Sequence, residues 1–302
     1  MKLVHLVRLA RPQHWIKNVI VLFPVVFAQQ VGKPAAWLGA VAAMLAFSLA
    51  ASSVYAVNDI KDRHSDRLHP RKKDRPLASG AVSPAVAWVE SLVLFLAASA
   101  IAVPLGAVTL AVIWSYVVLQ LVYTFGLKER MIVDVMCIAL GFVLRAVAGA
   151  TAIRVELSPW LFTCTFTICL FMGFCKRRSE AGAIGDSETA AMHRRTLVGY
   201  TPQLLTHLTT LSAGIAIVSY LLYATSPRTV ENFGTNYLLY TLPLVIYAVC
   251  RFEMLSAVGA YADPTDLILR DRPFQMTLAL WCLAVAGILW QGPQLQTWLS
   301  RQ

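Results

Sequence analysis

Nine apolar runs, each near or above the roughly 18 residues that a helix needs to cross a bilayer, leave this chain few ways to fold. They lie at about 16–31, 36–57, 84–103, 106–125, 132–153, 158–175, 203–224, 237–258 and 274–291. At 58% hydrophobic and 14% charged residues, with a mean hydropathy of +0.62, polar material is too scarce to cover a water-soluble globule. The expected class is an all-α integral membrane protein with nine transmembrane helices. No low-complexity linker or soluble segment interrupts the chain, so 1–302 reads as a single domain.

Charge placement fixes the parity. With the N-terminus inside, the outer segments hold only Lys33, Arg154, Arg228 and Arg301; Arg145 falls within a span, and the remaining 21 of the 26 Lys and Arg are inside. That asymmetry is the positive-inside signature, and it concentrates the net charge of +10 on one face. A multi-pass protein of the inner (plasma) membrane, with a cytoplasmic N-terminus, is expected. The first run has a competing reading as a secretory signal cleaved after Ala28, but its long leading region with Pro12 and an interfacial Trp15 favours a retained helix. The six cysteines lie in or beside spans with no C-x-x-C pair, which points to reduced packing rather than disulfides or zinc.

Between the second and third runs lies NDIKDRHSDRLHPRKKDRP, Asn58 to Pro76. On a helix, Asn58, Asp62 and Asp66 recur every four residues and Asp59 lies three before Asp62, so all four project from one side. Carboxylates so close require compensation by water, bases or divalent cations. Magnesium suits them, since it takes oxygen ligands and is usually held by one or two carboxylates while bridging to substrate phosphates. Arg71, Lys72, Lys73 and Arg75 follow and suit phosphate oxygens. Acids for a metal followed by bases for anions describe a diphosphate site; the alternative is a solvated, charge-balanced loop that only orients the protein.

Other polar stretches follow the fourth, sixth and eighth runs. They are Tyr123 to Arg130 with Asp134, Lys176 to Glu180 with a stretch reaching Arg194 and Arg195, and Arg251 and Glu253 leading to Asp263–Pro273. Helices of alternating direction bring these four loops to one membrane face, where a central cavity can be lined from distant parts of the sequence. Arg145 lies about 16 Å deeper than Asp134 and on nearly the same side of its helix. A charge at that depth usually faces a bundle interior or a substrate path; the alternative is a buried structural pair.

The residues N-D-x-x-D-x-x-x-D at Asn58–Asp66, running on to R-P-L-A-S-G at Arg75–Gly80, resemble the first aspartate-rich motif of the UbiA-type intramembrane prenyltransferase superfamily. Tyr123 and Lys128 resemble its second conserved loop. Within it, His69-Pro70-x-Lys72-x-x-Arg75-Pro76, the N-terminal Arg11-Pro12-x-x-Trp15-x-Lys17-Asn18, Leu127-Lys128 with Asp134, and Asp263-Pro264-Thr265 with Asp271-Arg272-Pro273 are similar to the decaprenyl-phosphate phosphoribosyltransferases. The resemblance implies nine helices around a central cavity. It also implies magnesium-dependent transfer of 5-phosphoribose from phosphoribosyl diphosphate to a polyprenyl phosphate, giving the lipid-linked sugar for cell-wall arabinan. Where other UbiA enzymes carry a second aspartate-rich motif, this chain has Lys176-Arg177-Arg178-x-Glu180, a poor metal platform and a good phosphate cradle. The alternatives are an aromatic prenyltransferase with a prenyl diphosphate donor, and a transporter, whose ion path would also use polar residues inside a bundle.

From this reading, Asn58, Asp59, Asp62 and Asp66 are assigned to metal and diphosphate, with Lys72, Arg75 and Lys128 stabilising the leaving group. Asp59, Asp62 and Lys128 are the catalytic candidates. Lys176, Arg177 and Arg178 are assigned to the ribose 5-phosphate, Glu180 to ribose hydroxyls or a metal-bound water, and Lys17, Arg145 and Arg11 to the lipid phosphate. Tyr123 and Asp134 complete the substrate-binding set. Asp263 is read as a helix cap, and His64, His69 and His193 as ordinary hydrogen-bonding residues. The partners expected are phosphoribosyl diphosphate, a polyprenyl phosphate and membrane lipids, with no nucleic acid and with homo-oligomerisation left open.

Overall fold

The computed structural model describes residues 3–68, 72–182, 199–261 and 264–299. His69, Pro70 and Arg71, His193 with Arg194 and Arg195, and Asp263 lie outside the described residues, so the readings placed on them stay as stated. Every regular element among the described residues is helical. In chain order they are α1 (Leu3–Ala10), a 3-10 helix (Pro12–Leu22), α2 (Phe23–Phe27), α3 (Pro34–Leu68), α4 (Pro84–Ala102), α5 (Ala107–Phe125) and α6 (Val133–Ala152). Then follow α7 (Pro159–Gly182), α8 (Pro202–Thr225), α9 (Pro227–Phe233), a 3-10 turn (Tyr237–Thr241) running into α10 (Leu242–Ala257), α11 (Pro264–Arg270) and α12 (Arg272–Leu299), with further single 3-10 turns at Val103–Leu105 and Leu127–Glu129.

Among the described residues, seven of the expected spans are helices long and apolar enough to cross a membrane: those beginning at Pro34, Pro84, Ala107, Val133, Pro159, Pro202 and Tyr237. An eighth apolar stretch, Arg272–Ile288, is shorter. The first expected run is not one α-helix. Pro12 and Pro24 each open a new helical segment, and an eleven-residue 3-10 helix precedes the short α2. Exposed apolar side chains such as Val89, Leu92, Val93 and Leu96 on α4 and Val118 and Val122 on α5 suit contact with acyl chains. The chain is a multi-pass membrane protein.

Packing divides it into two compact units, Met1–Phe162 and Thr163–Gln302. In the first, α3 is central. Its 35 residues extend about 52 Å at 1.5 Å each, well beyond an apolar layer of roughly 30 Å. The helix therefore carries Asn58–Asp66 past the apolar region. Buried Ala40, Ala43, Ala50 and Ser53 let neighbouring backbones approach closely, and Ser53 and Ser91 hydroxyls meet at 3.0 Å to tie α3 to α4. Around Phe47, Val21, Ile113 and Tyr116 close the core. Gly149 of α6 sits against the Val21 carbonyl so tightly that a methyl group there would collide with it.

At the other end of α3 the chain doubles back. Leu77 and Val82 bury against Leu9, Ala56 and Ala87, Arg67 Nε donates to the Ala78 carbonyl at 2.9 Å, and Gly80 supplies the positive φ of 79° that the turn needs. Ser83 then caps α4 through the Val86 amide at 3.4 Å. This folded loop returns Arg75 to the helix it left.

The second unit packs Phe171 and Cys175 of α7, Ala213 of α8, Val249 and Phe252 of α10 and Leu267 of α11 together. Asp271 caps α12 by accepting from the Phe274 amide at 2.8 Å, and Arg251 grips both of its oxygens, at 2.6 and 2.8 Å.

Candidate diphosphate and metal site

The acidic row of α3 is matched by bases from three other segments. Asp59, 1% exposed, pairs with Arg11 and receives Arg75 Nη1 at 3.2 Å on the same oxygen. That Arg75 nitrogen also lies 2.7 Å from Asp66 Oδ2, while Lys72 Nζ stands 3.9 Å from Asp66 Oδ1. Asp62 Oδ1 accepts from Lys128 Nζ at 2.5 Å. Thr124 Oγ1 makes a long 3.5 Å contact with Asn58 Oδ1. Asn58, Asp59, Asp62, Asp66, Lys72, Arg75 and Lys128, assigned from sequence to one site, are thus brought together.

Local structure explains how each base arrives. Lys128 is on a single 3-10 turn, Leu127–Glu129, directly after α5. Arg75 comes from the loop folded over Ala56 and Ala87. Arg11 has left-handed backbone angles, φ 53° and ψ 57°, which break α1 from the 3-10 helix. Its guanidinium stacks 5.5 Å from the Tyr55 ring on the way to Asp59. Ser52 holds this junction by accepting from Trp15 Nε1 at 3.0 Å and donating to the Ala10 carbonyl at 2.6 Å.

Arg11, assigned from sequence to a lipid phosphate, here pairs with Asp59. Arg145, given the same assignment, is held by neutral partners. It is buried, and it donates to Asn18 Oδ1 at 2.6 Å, to the Gly141 carbonyl at 2.7 Å and to the Tyr116 hydroxyl at 3.1 Å. The rings of Phe47, Tyr116 and Phe142 lie within 5.0 Å of its guanidinium carbon. Neutral acceptors and aromatic faces hold this cation. Lys17 is half-buried beside Asn18, Tyr123 is half-buried one residue before Thr124, and Asp134 is fully buried in the first turn of α6. The Asn18, Tyr116 and Thr124 contacts were missed from the sequence, since a single polar residue on an apolar helix gives no sign of which distant group it will meet.

In the second unit, the end of α7 does not present its three consecutive bases together. Steps of 100° turn them apart: Arg177 is 2% exposed and bonds Glu180 Oε2 at 2.5 Å, while Arg178 lies 3.8 Å from Glu253. Glu180, assigned to ribose hydroxyls or a metal-bound water, is the acceptor of that Arg177 bond. Lys176 lines a small cavity of about 10 Å³ with Ser179, Ser256 and Tyr261.

Among the described residues, no three His, Cys, Asp or Glu side chains group as a metal cage. The donor set nevertheless fits magnesium. Asp59 and Asp66 converge on one Arg75 nitrogen, so a positive charge already stands between two carboxylates, and magnesium is commonly held by one or two carboxylates with waters and substrate phosphates.

The pattern of the UbiA prenyltransferase family matches residues 18–258. The chain belongs to this family. This UbiA chain is 32% identical over 296 residues to the decaprenyl-phosphate phosphoribosyltransferase of Mycolicibacterium smegmatis, covering 94% of its own length and 92% of the relative's. To the Mycobacterium tuberculosis protein of the same name it is 33% identical over 285 residues, covering 93% of each. A UbiA homologue from Archaeoglobus fulgidus, solved with GPP and Mg2+, superposes with a TM-score of 0.72 at 19% identity over 94% of this chain and 99% of that one. The last likeness establishes the UbiA fold for this chain.

Proposed function

We propose that this protein is a magnesium-dependent transferase that moves 5-phosphoribose from phosphoribosyl diphosphate to a polyprenyl phosphate. The observation that carries the reading is the meeting of Asp59, Asp62 and Asp66 with Arg11, Lys72, Arg75 and Lys128. It is supported by relatives that bear this activity in their names and match nearly the whole chain.

In the reaction the bond from ribose C1 to the diphosphate oxygen breaks and a lipid phosphate oxygen forms the new one. Negative charge grows on the leaving diphosphate, so fixed cations aimed at it stabilise the transition state. Arg75 and Lys128 are placed to supply them, with Lys72 and Arg11 beside them. Bound magnesium, held by Asp59 and Asp66 with Asp62 and Asn58 adjacent, would neutralise part of that charge. A phosphate monoester has its second pKa at about 6, so the acceptor attacks as an anion and needs no general base. Within the second unit, Lys176 and Arg178 are the phosphate-binding candidates.

The chain works as one transmembrane domain with nine crossings, its N-terminus and polar loops at the cytoplasmic face of the plasma membrane. Length supports the first crossing: eleven 3-10 residues at about 2.0 Å and five α-helical residues at about 1.5 Å reach roughly 30 Å.

Purified protein in nanodiscs, given radiolabelled phosphoribosyl diphosphate, magnesium and decaprenyl phosphate, should yield labelled lipid. Thermal protection by geranyl diphosphate and none by phosphoribosyl diphosphate would instead assign a prenyl donor.

A further inference from the structure

Among the described residues, the acids of the site are already met by basic side chains. Four bases, Arg11, Lys72, Arg75 and Lys128, stand within ion-pair distance of three acids, Asp59, Asp62 and Asp66. Asp59 and Asp66 are almost fully buried, at 1% and 3% exposure, so little water screens these charges. A bare divalent cation approaching Asp59 and Asp66 meets the guanidinium of Arg75 between them and the Arg11 guanidinium alongside. To take both carboxylates it must evict Arg75, which then has no other anion among its described partners.

A metal that arrives chelated by diphosphate meets a different balance. The metal takes the carboxylates, and the diphosphate oxygens offer Arg75, Lys72 and Lys128 new anionic partners whose geometry a guanidinium matches in bidentate fashion. Arg75 and Lys72 thus exchange carboxylate oxygens for phosphate oxygens instead of losing their anionic partners outright. We propose that this site discriminates against free divalent cations and admits the metal only as its diphosphate chelate, with Arg75 as the residue that enforces the choice. This deepens the diphosphate reading given above and rests on it.

The test uses manganese as a spectroscopically visible divalent probe and inorganic pyrophosphate as the anion, with the full-length protein in nanodiscs. Electron paramagnetic resonance titration should show weak binding of Mn2+ alone to the wild type and binding at least about tenfold tighter with pyrophosphate present. Arg75→Gln should bind Mn2+ alone at least about tenfold tighter than the wild type, and pyrophosphate should improve it by less than it improves the wild type, Lys72 and Lys128 remaining; a unit charge removed a few ångströms away is ample for that change. Arg75→Lys, which keeps a charge without the bridging fork, should fall between the two. It also serves as the informative variant if Arg75→Gln does not fold. Wild-type protein that binds Mn2+ equally well with and without pyrophosphate, or a folded Arg75→Gln with unchanged Mn2+ affinity, overturns the discrimination and leaves the diphosphate reading intact. Failure of every variant and the wild type to bind the Mn2+–pyrophosphate pair overturns the diphosphate reading itself.

Discussion

Arg145 Nε donates a 2.6 Å hydrogen bond to Asn18 Oδ1, joining residues 127 positions apart in the sequence. Asn18 in turn donates to Ser48 Oγ at 2.8 Å, so one buried chain of polar groups fastens the 3-10 helix to α3 and α6. Asn18→Ala leaves the guanidinium short of an acceptor and should cost about 1–3 kcal/mol, read as a lower Tm in nanodiscs. Arg145→Lys should fail to restore stability, because an ammonium lacks the planar fork that reaches three acceptors. Unchanged Tm with a raised KM for the lipid would return Arg145 to phosphate binding.

The contact of Gly149 with Val21 gives a second prediction. An added methyl meets a backbone carbonyl, which cannot swing aside as a flexible side chain would. Gly149→Ala should destabilise by about 1–3 kcal/mol or more, as overpacked cores do, and Gly214→Ala, with open space around its added carbon, should not.

Asp59→Asn and Asp62→Asn keep the size of the side chain and remove the charge. Each should lower transferase activity by at least about 100-fold, the scale on which loss of one electrostatic group acts in an active site. Full turnover in either variant would remove that residue from the metal and diphosphate assignment.

Two Arg251 bonds hold the Asp271 carboxyl below the usual carboxylate range. A carboxylate with a depressed folded value stabilises above its unfolded pKa of about 3.9 and loses that contribution as pH falls through the folded value. Asparagine can still cap α12, so Asp271→Asn isolates the charge. Its Tm should fall by a few degrees at neutral pH, and the gap from wild type should narrow on acidification below about pH 4. A gap independent of pH would point to capping alone.

Much of the acidic half of the site was legible, because Asn58, Asp62 and Asp66 stand four apart, the spacing of one side of a helix. Their partners were less so. Arg11 reaches Asp59 across 48 positions through a left-handed turn that no residue type announces. The 3-10 course of Pro12–Leu22 has little signature in the sequence beyond Pro12 and Pro24. Lys176, Arg177 and Arg178 look like one cradle as letters, yet helical phase alone was enough to separate them.

Since α3 continues unbroken from Pro34 to Leu68, its apolar half and its acidic half share one angular register. A single residue inserted between Ser53 and Asn58 would rotate the entire carboxylate row by about 100° and advance it by about 1.5 Å, while leaving every one of those acids in the chain. What the enzyme would lose is phase, and chemistry with it.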